Sequence, residues 1–515
     1  MRGICLTTLR VALLGLALAV LGPAGAASAD FNGLLSAGNC SQKDAADGNT
    51  GNGVQVPITF CDDGIPPTGG TTPNVGAVNA VAVPAKYTGS AGLPAKAGDA
   101  AAVPGADPAG DIALDADVTL PDPATTPMPA GGSPIVVMMH GCCGGSKTGW
   151  ERGTLDGTAD DHEGWHYNNT WFASRGYVVL NYTARGFVDA SNHGSTGQAQ
   201  LDSDLYEIND YQQLVGLLAD KADLDPSTVG NQKIDPAQVV VTGGSYGGGF
   251  SWMALTDPTW NSPGAIHMRL AAVAPKFGWT NLVEALVPNG LDPRDALPTA
   301  DPVAAGNTAT LGYPKRSIVA GLYATGKGVP GSSHTTFPSD IDAAQVCLNS
   351  PDPYESNPAC AGTVTGPNNT LERFIAERSA YFENGFFTGL ATGSIAPVPV
   401  FSAGTFSDPL FPSPEHRRMV ERLKATVPGY PVQEYYGDYN HFVQDKPKEW
   451  GDLCGADHHL CSYADYPGGN LNANPPSLAR ENGVTTRLDR FIDFYAKPPG
   501  DAGQPQPSFD VTASL

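Results

Sequence analysis

Ser245 is the residue best placed to act as a nucleophile. Val239-Val240-Val241-Thr242-Gly243-Gly244-Ser245-Tyr246-Gly247-Gly248-Gly249 reads as a strand, then Gly-x-Ser-x-Gly, then the start of an apolar helix carrying Phe250, Trp252, Met253 and Leu255. A serine at such a strand-to-helix turn exposes its hydroxyl, and small neighbours let the backbone pass close by. The helix N-terminus behind it favours developing negative charge. A nucleophile needs a base and an orienting acid, which here follow in the order Ser, Asp, His. Val398 to Ser402 is an apolar strand, and the chain then runs through a turn to Asp408. A helical stretch (Glu415 to Ala425), a strand (Pro431 to Tyr436) and His441 come next. Asp408 and His441 are therefore expected just past the carboxyl ends of consecutive strands, where catalytic groups of open α/β sheets gather. Asp438 is a rival acid. An acyl-transfer site also needs amide donors for the oxyanion, one following the nucleophile and one in the loop after an earlier strand. Tyr246 N–H and Cys142 N–H fit, the latter in Met138-Met139-His140-Gly141-Cys142-Cys143-Gly144-Gly145, where His140 is expected to hold the loop.

Two other chemistries compete. His162-Glu163-Gly164-Trp165-His166 matches the His-Glu-x-x-His zinc pattern, which would make the protein a metallopeptidase. That pattern works only on a helix that brings both histidines to one face. Gly164 interrupts it, Asn168-Asn169 follow, and there is no apolar stripe or obvious third ligand, so a loop is expected and no metal is assigned. A non-catalytic binding protein on a hydrolase scaffold is the third class. The full set of nucleophile, acid and base weighs against it.

The elements that must position these residues are legible as apolar runs. Pro134 to Met139, Tyr177 to Tyr182, Gln238 to Thr242 and Val398 to Ser402 are continuous, as strands buried on both faces are. Ile112 to Leu120 alternates, as a half-buried strand would. Asn168 to Ser174 and Leu205 to Asp220 suit helices. Strands alternating with helices predict an α/β fold with a mainly parallel sheet flanked by helices. The rhythm breaks over 276–396, where Pro and Gly punctuate helical pieces. This stretch is expected to be an inserted helical cap. His416 lies on the helix between the last two strands and is expected to be solvated.

Residues 1–29 have the form of a signal peptide. Arg2 and Arg10 precede the short apolar run Val11 to Leu21, and Ala27-Ser28-Ala29 offers a cleavage site. The run is too short to span about 30 Å of hydrocarbon. The expected organisation is 30–109 as a β-rich N-terminal extension, 110–275 and 397–497 as the two parts of the core, 276–396 as the cap and 498–515 as a tail. An exported chain with eight remaining cysteines points to disulfides. Proximity suggests Cys40–Cys61, Cys347–Cys360 and Cys454–Cys461. Cys142 and Cys143 are left for a strained vicinal bridge or for pairing elsewhere. The net charge of −23 excludes a nucleic-acid backbone as partner, and 62 Gly without a strict repeat exclude a collagen.

The chain resembles the X-Pro dipeptidyl-peptidase and cocaine-esterase-like family of α/β-hydrolases. The resemblance rests on Gly243 to Gly248, on Tyr182-Thr183-Ala184-Arg185-Gly186-Phe187, on Asp202-x-Asp204-x-x-Glu207-x-x-Asp210, and on the Asp408 and His441 turns, and it covers roughly 110–497. It implies an α/β-hydrolase fold, a helical cap after the elbow and Ser/Asp/His catalysis. Cys142 stands where members often carry Tyr, and too few residues follow His441 for the C-terminal jelly roll of typical members. The expectation is a secreted, cofactor-free serine hydrolase acting on a small ester or peptide. Its two forms are an X-Pro dipeptidyl-peptidase-like enzyme and a carboxylesterase without peptidase activity.

Overall fold

The computed structural model describes residues 31, 34–35, 39–46, 55–62, 80–83, 112–155, 164, 166–191, 194–224, 232–288, 312–328, 333–354, 356–364, 370–437, 441, 484–497 and 511–514. Residues 1–29, Cys454, Cys461, His162, Glu163 and Asp438 lie outside them, and with them the expectations placed there.

The chain opens with antiparallel strands. β1 (Cys40–Ala46) and β2 (Gln55–Cys61) form a hairpin joined by the Cys40–Cys61 disulfide; β3 (Ala80–Val83) and β4 (Ile112–Pro121) pair antiparallel, and β4 joins β2. Alternation then sets in. β5 (Ser133–Met139), α1 (Asn169–Ser174), β6 (Val178–Tyr182), the short β7 (Phe187–Val188) and α2 (Glu207–Ala219) lead to β8 (Ile234–Gly244) and α3 (Tyr246–Thr256). The short β9 (Thr259–Asn261) precedes β10 (His267–Lys276). Next come α4 (Leu282–Leu286), α5 (Arg316–Lys327), the two-residue β11 (His334–Thr335), α6 (Ser339–Asn349), α7 (Thr370–Glu377) and α8 (Asn384–Thr392). β12 (Val400–Thr405), α9 (Ser413–Thr426), β13 (Val432–Gly437), α10 (Val484–Ala496) and β14 (Val511–Ser514) complete the order.

The main sheet runs β1-β2-β4-β6-β5-β8-β10-β12-β13-β14. Every pair from β6 to β14 is parallel. Side chains alternate between the two faces, as the period of two requires. Ile135, Val137 and Met139 of β5 join one apolar cluster with Leu214 of α2 and Phe250 of α3. Val136 and Met138 join the other, with Phe172 of α1 and Phe491 and Ile492 of α10. A mainly parallel sheet flanked by helices on both faces is the expected architecture.

Three local expectations need correction. β4 is buried on both faces, because Lys147 reaches Asp115 and Asp117 (2.8 and 2.9 Å) on its polar side, and Asn169 donates to Thr119 at 3.0 Å. β10, for which no element is expected from the sequence, holds the alanine-rich run Leu270 to Ala274 between Arg269 and Pro275. Its strand character comes from neighbours: β8 and β12 flank it on both sides. The tail supplies β14, an edge strand against β13. His416 is fully buried, not solvated: the α9 face that carries it packs on β12, where Ser402 holds its Nδ1 at 2.9 Å.

The Arg185-Gly186 turn ties the sheet to α2. Gly186 has φ +75°, and a Cβ there would lie 2.5 Å from Ala199 N and 2.8 Å from Thr336 O. Arg185 grips Asp210 with two hydrogen bonds, Nε–Oδ2 2.7 Å and Nη2–Oδ1 2.6 Å, both side chains being buried. Removing one partner strands the other charge away from water. Arg185→Ala should therefore cost about 3–5 kcal/mol of stability, read as a lower denaturant midpoint, and Arg185→Leu combined with Asp210→Leu should recover much of it.

Candidate active site

The parallel registers place the carboxyl ends of five strands side by side. Met139 of β5 lies opposite Gly243 of β8; Gly244 lies opposite Lys276 of β10, and Lys276 opposite Ala403 of β12. Thr405 of β12 lies opposite Gly437 of β13. The loops leaving this edge carry Cys142, Ser245, Phe277, Asp408 and His441.

Ser245 sits between β8 and α3 at φ +58°, ψ −115°, a conformation that few non-glycine residues adopt. Its amide donates to Lys276 O at 3.1 Å, and its carbonyl accepts from Gly248 and Gly249 N–H at 2.9 and 3.0 Å. His441 brings the separate strands' groups together. Its Nε2 lies 2.8 Å from Ser245 Oγ, and its Nδ1 lies 2.7 Å from Asp408 Oδ2. The other carboxylate oxygen of Asp408 accepts from Leu410 and Phe411 N–H at 2.7 and 3.1 Å. A carboxylate can only accept, so His441 Nδ1 is the donor and Nε2 is left to accept from the serine hydroxyl. Phe277 and Phe411 stand edge-on to the imidazole, each with its ring centre 5.5 Å away.

Cys142 and Tyr246 border the same cavity as Ser245. Neither amide has a hydrogen-bond acceptor among the described residues. The Tyr246 hydroxyl is turned away, towards Glu207 at 3.2 Å. Burial lifts Glu207 to about 7. Neither pairing expected for Cys142 and Cys143 occurs: both are free thiols. The positive φ of Cys143 (+67°) directs its Sγ to the Leu322 carbonyl at 3.3 Å, which replaces a bridge. The hydrogen bond to Cys143, with burial second, holds the Cys142 thiol above its ordinary range. Cys347–Cys360 forms as expected.

Two buried histidines brace the site. His140 Nε2 accepts from Ala184 N–H at 2.9 Å and Nδ1 donates to Gly141 O at 2.6 Å, which fixes the start of the Cys142 loop. His416 Nε2 accepts from Gly278 N–H at 3.1 Å, just after Phe277. His166 stacks on Trp171, with ring centres 3.6 Å apart. Among the described residues no group of three His, Cys, Asp or Glu is arranged to hold a metal. The walls of the cavity, among them Trp279, Leu282, Leu286, Leu322, Leu348 and Phe374, carried no readable pattern in the sequence.

Burial lowers His140 and His416 to about 4 from 6.5. Each folded-state value lies below the unfolded one, so the unfolded chain binds the extra proton first. Their contribution to stability is whole above 6.5 and is lost as the pH falls from there through about 4. A ring-proton NMR titration should find both imidazoles still neutral at pH 5.

Residues 110–318 match the model of the X-Pro dipeptidyl-peptidase (S15 family). No curated protein matches the chain. Solved structures similar to it include a puromycin hydrolase (16% identity, TM-score 0.31, covering 64% of this chain and 33% of that one). Others are the acylaminoacyl peptidase of Pyrococcus horikoshii (14%, 0.36, 76% and 41%) and acetyl xylan esterase 1 of Thermoanaerobacterium sp. JW/SL YS485 (12%, 0.33, 81% and 85%). The chain thus spans a third to two-fifths of the length of the first two. The parallel sheet and the strand–serine–helix turn are those of the α/β-hydrolase fold, and residues 110–318, two-fifths of the chain, resemble the X-Pro dipeptidyl-peptidase S15 family.

Proposed function

We propose that the protein hydrolyses a carboxylic ester or peptide bond through an acyl-enzyme on Ser245. The observation that carries this reading is the unbroken relay Ser245 Oγ–His441–Asp408. His441 Nε2 takes the hydroxyl proton as Oγ attacks the carbonyl carbon. The proton then passes to the leaving alcohol or amine as its bond to carbon breaks. Water repeats the cycle on the acyl-enzyme, releasing the acid and restoring the serine. Asp408 holds the imidazole tautomer and stabilises the imidazolium. The amides of Cys142 and Tyr246, which have no other acceptor among the described residues, are suited to receive the oxyanion.

A fluorophosphonate probe should label Ser245 in the native chain and not in Ser245→Ala. Ser245→Ala and His441→Ala should each lower kcat by several orders of magnitude, with the double variant hardly worse, because the residues act as a unit. Asp408→Asn should be deeply impaired near neutral pH. Cys142→Ala should stay within a few fold of the parent, since the oxyanion contact is made by the backbone. Near-parental turnover in Ser245→Ala would sink the mechanism.

We also propose export. The signal-like residues 1–29 and two disulfides, which persist in oxidising compartments, support it. Among the described residues no helix is long and apolar enough to cross a membrane. Intact-mass analysis of the protein collected outside the cells should find a chain beginning at Asp30.

A further inference from the structure

We infer that the site is built for esters of long, unbranched acyl groups, whose chain runs from Ser245 down an apolar tunnel beneath α4, α6 and α7. The inference rests on Ser245 being the acylated residue. The cavity that reaches Ser245 holds about 780 Å³ of space between protein atoms, a figure that includes the open solvent at its mouth. A second cavity, about 410 Å³ on the same solvent-inclusive measure, lies beyond it, lined by Val283, Val287, Val364 and Leu371. The two share Leu282, Leu286, Ala344, Leu348 and Phe374 as common wall. These shared residues face both cavities, and the far one ends at Val364, which packs against the Cys347–Cys360 disulfide and gives it a covalently braced end.

Chemistry of the lining selects the occupant. Among the described lining residues of either cavity there is no Asp, Glu, Lys, Arg or His. The Thr370 hydroxyl at the far end is turned to Gly362 O at 3.3 Å, and Tyr323 at the near end to Asp342 at 2.7 Å. A peptide with a free amino terminus would bring an ammonium into this space with no carboxylate to receive it, an unfavourable transfer. A hydrocarbon chain gains with every methylene it removes from water, up to about fourfold in affinity each. Because that chain is held in ground state and transition state alike, the gain belongs to kcat/KM more than to kcat.

The test uses p-nitrophenyl acetate, butyrate, octanoate and laurate beside an Ala-Pro anilide. The parent enzyme should show kcat/KM rising from acetate to laurate by about a hundredfold or more, and the anilide should turn over far more slowly than any ester. A profile that is flat or falls with chain length overturns the tunnel, and so does an anilide that outpaces laurate. Val364→Phe fills the far cavity and Leu348→Trp the shared wall. Each should lower the laurate-to-acetate ratio of kcat/KM by about tenfold or more, and an unchanged ratio in both overturns the assignment. Calorimetry of laurate binding to Ser245→Ala gives a readout without turnover: binding is expected, and its absence counts against the tunnel. Fluorophosphonate labelling separates the two readings. Labelling of Ser245 with a flat chain-length profile leaves the hydrolase and removes the tunnel. Laurate binding without any labelling leaves the tunnel and removes the acyl-enzyme.

Discussion

Backbone crowding around the Ser245 turn is the constraint on which the site depends. A Cβ on Gly243 would lie 2.5 Å from Met139 O, one on Gly247 2.3 Å from the same atom, and one on Gly248 2.2 Å from Lys276 O. The first turn of α3 is thus pressed between the ends of β5 and β10, and only hydrogen atoms fit at those positions. That contact forces Ser245 into its positive φ, a conformation costing roughly 1–3 kcal/mol. The cost is offset by the apolar body of α3, where Phe250, Trp252 and Leu255 are wholly buried, each worth about 1.5–3 kcal/mol. Replacing this packing with an amphipathic helix would leave nothing to hold the turn in place.

Around the turn, the polar groups that set angles are kept from becoming charges. His140 and His416 each present one donor and one acceptor to fixed backbone or hydroxyl partners, which is what a neutral imidazole offers. A protonated ring would carry a second donor where the protein supplies only another N–H. Burial opposes protonation and so preserves the geometry. The two histidines act on opposite sides: one fixes the loop of Cys142, the other the turn of Phe277, which in turn flanks His441. The imidazole in the proposed relay is thereby clasped by residues whose own positions are fixed by hydrogen bonds.

Charge is handled differently in the core and at the site. The chain carries 52 acidic residues against 29 lysines and arginines, yet the described walls of the cavity are uncharged. Buried ions are paired at Arg185 with Asp210 and at Lys147 with Asp115 and Asp117. Both pairs lie under the loops that follow β5 and β6, and each ties a loop to a more distant element.

The proposed catalytic residues were legible because their signals are local. Glycines flank a serine between an apolar strand and an apolar helix, and Asp408 and His441 each follow a strand run, so a short window suffices to rank them. Strands β5, β6, β8 and β12 were legible for the same reason, their burial on both faces leaving apolar runs. β10 was not, since its alanines and Arg269 are strand-forming only when β8 and β12 lie on either side. Nor was the burial of His416 and of Asp115 and Asp117, because a polar residue reads as exposed until its partner, distant in the chain, is known. The free state of Cys142 and Cys143 rests on the backbone angle at Cys143 and on a carbonyl in α5, 179 residues away. The cavity beside Ser245 is the clearest case. Leu282, Leu348 and Phe374 come from three helices, and any apolar residues could occupy those positions without disturbing a helix. Composition therefore says only that they are buried, and the shape they enclose is decided by how α4, α6 and α7 pack.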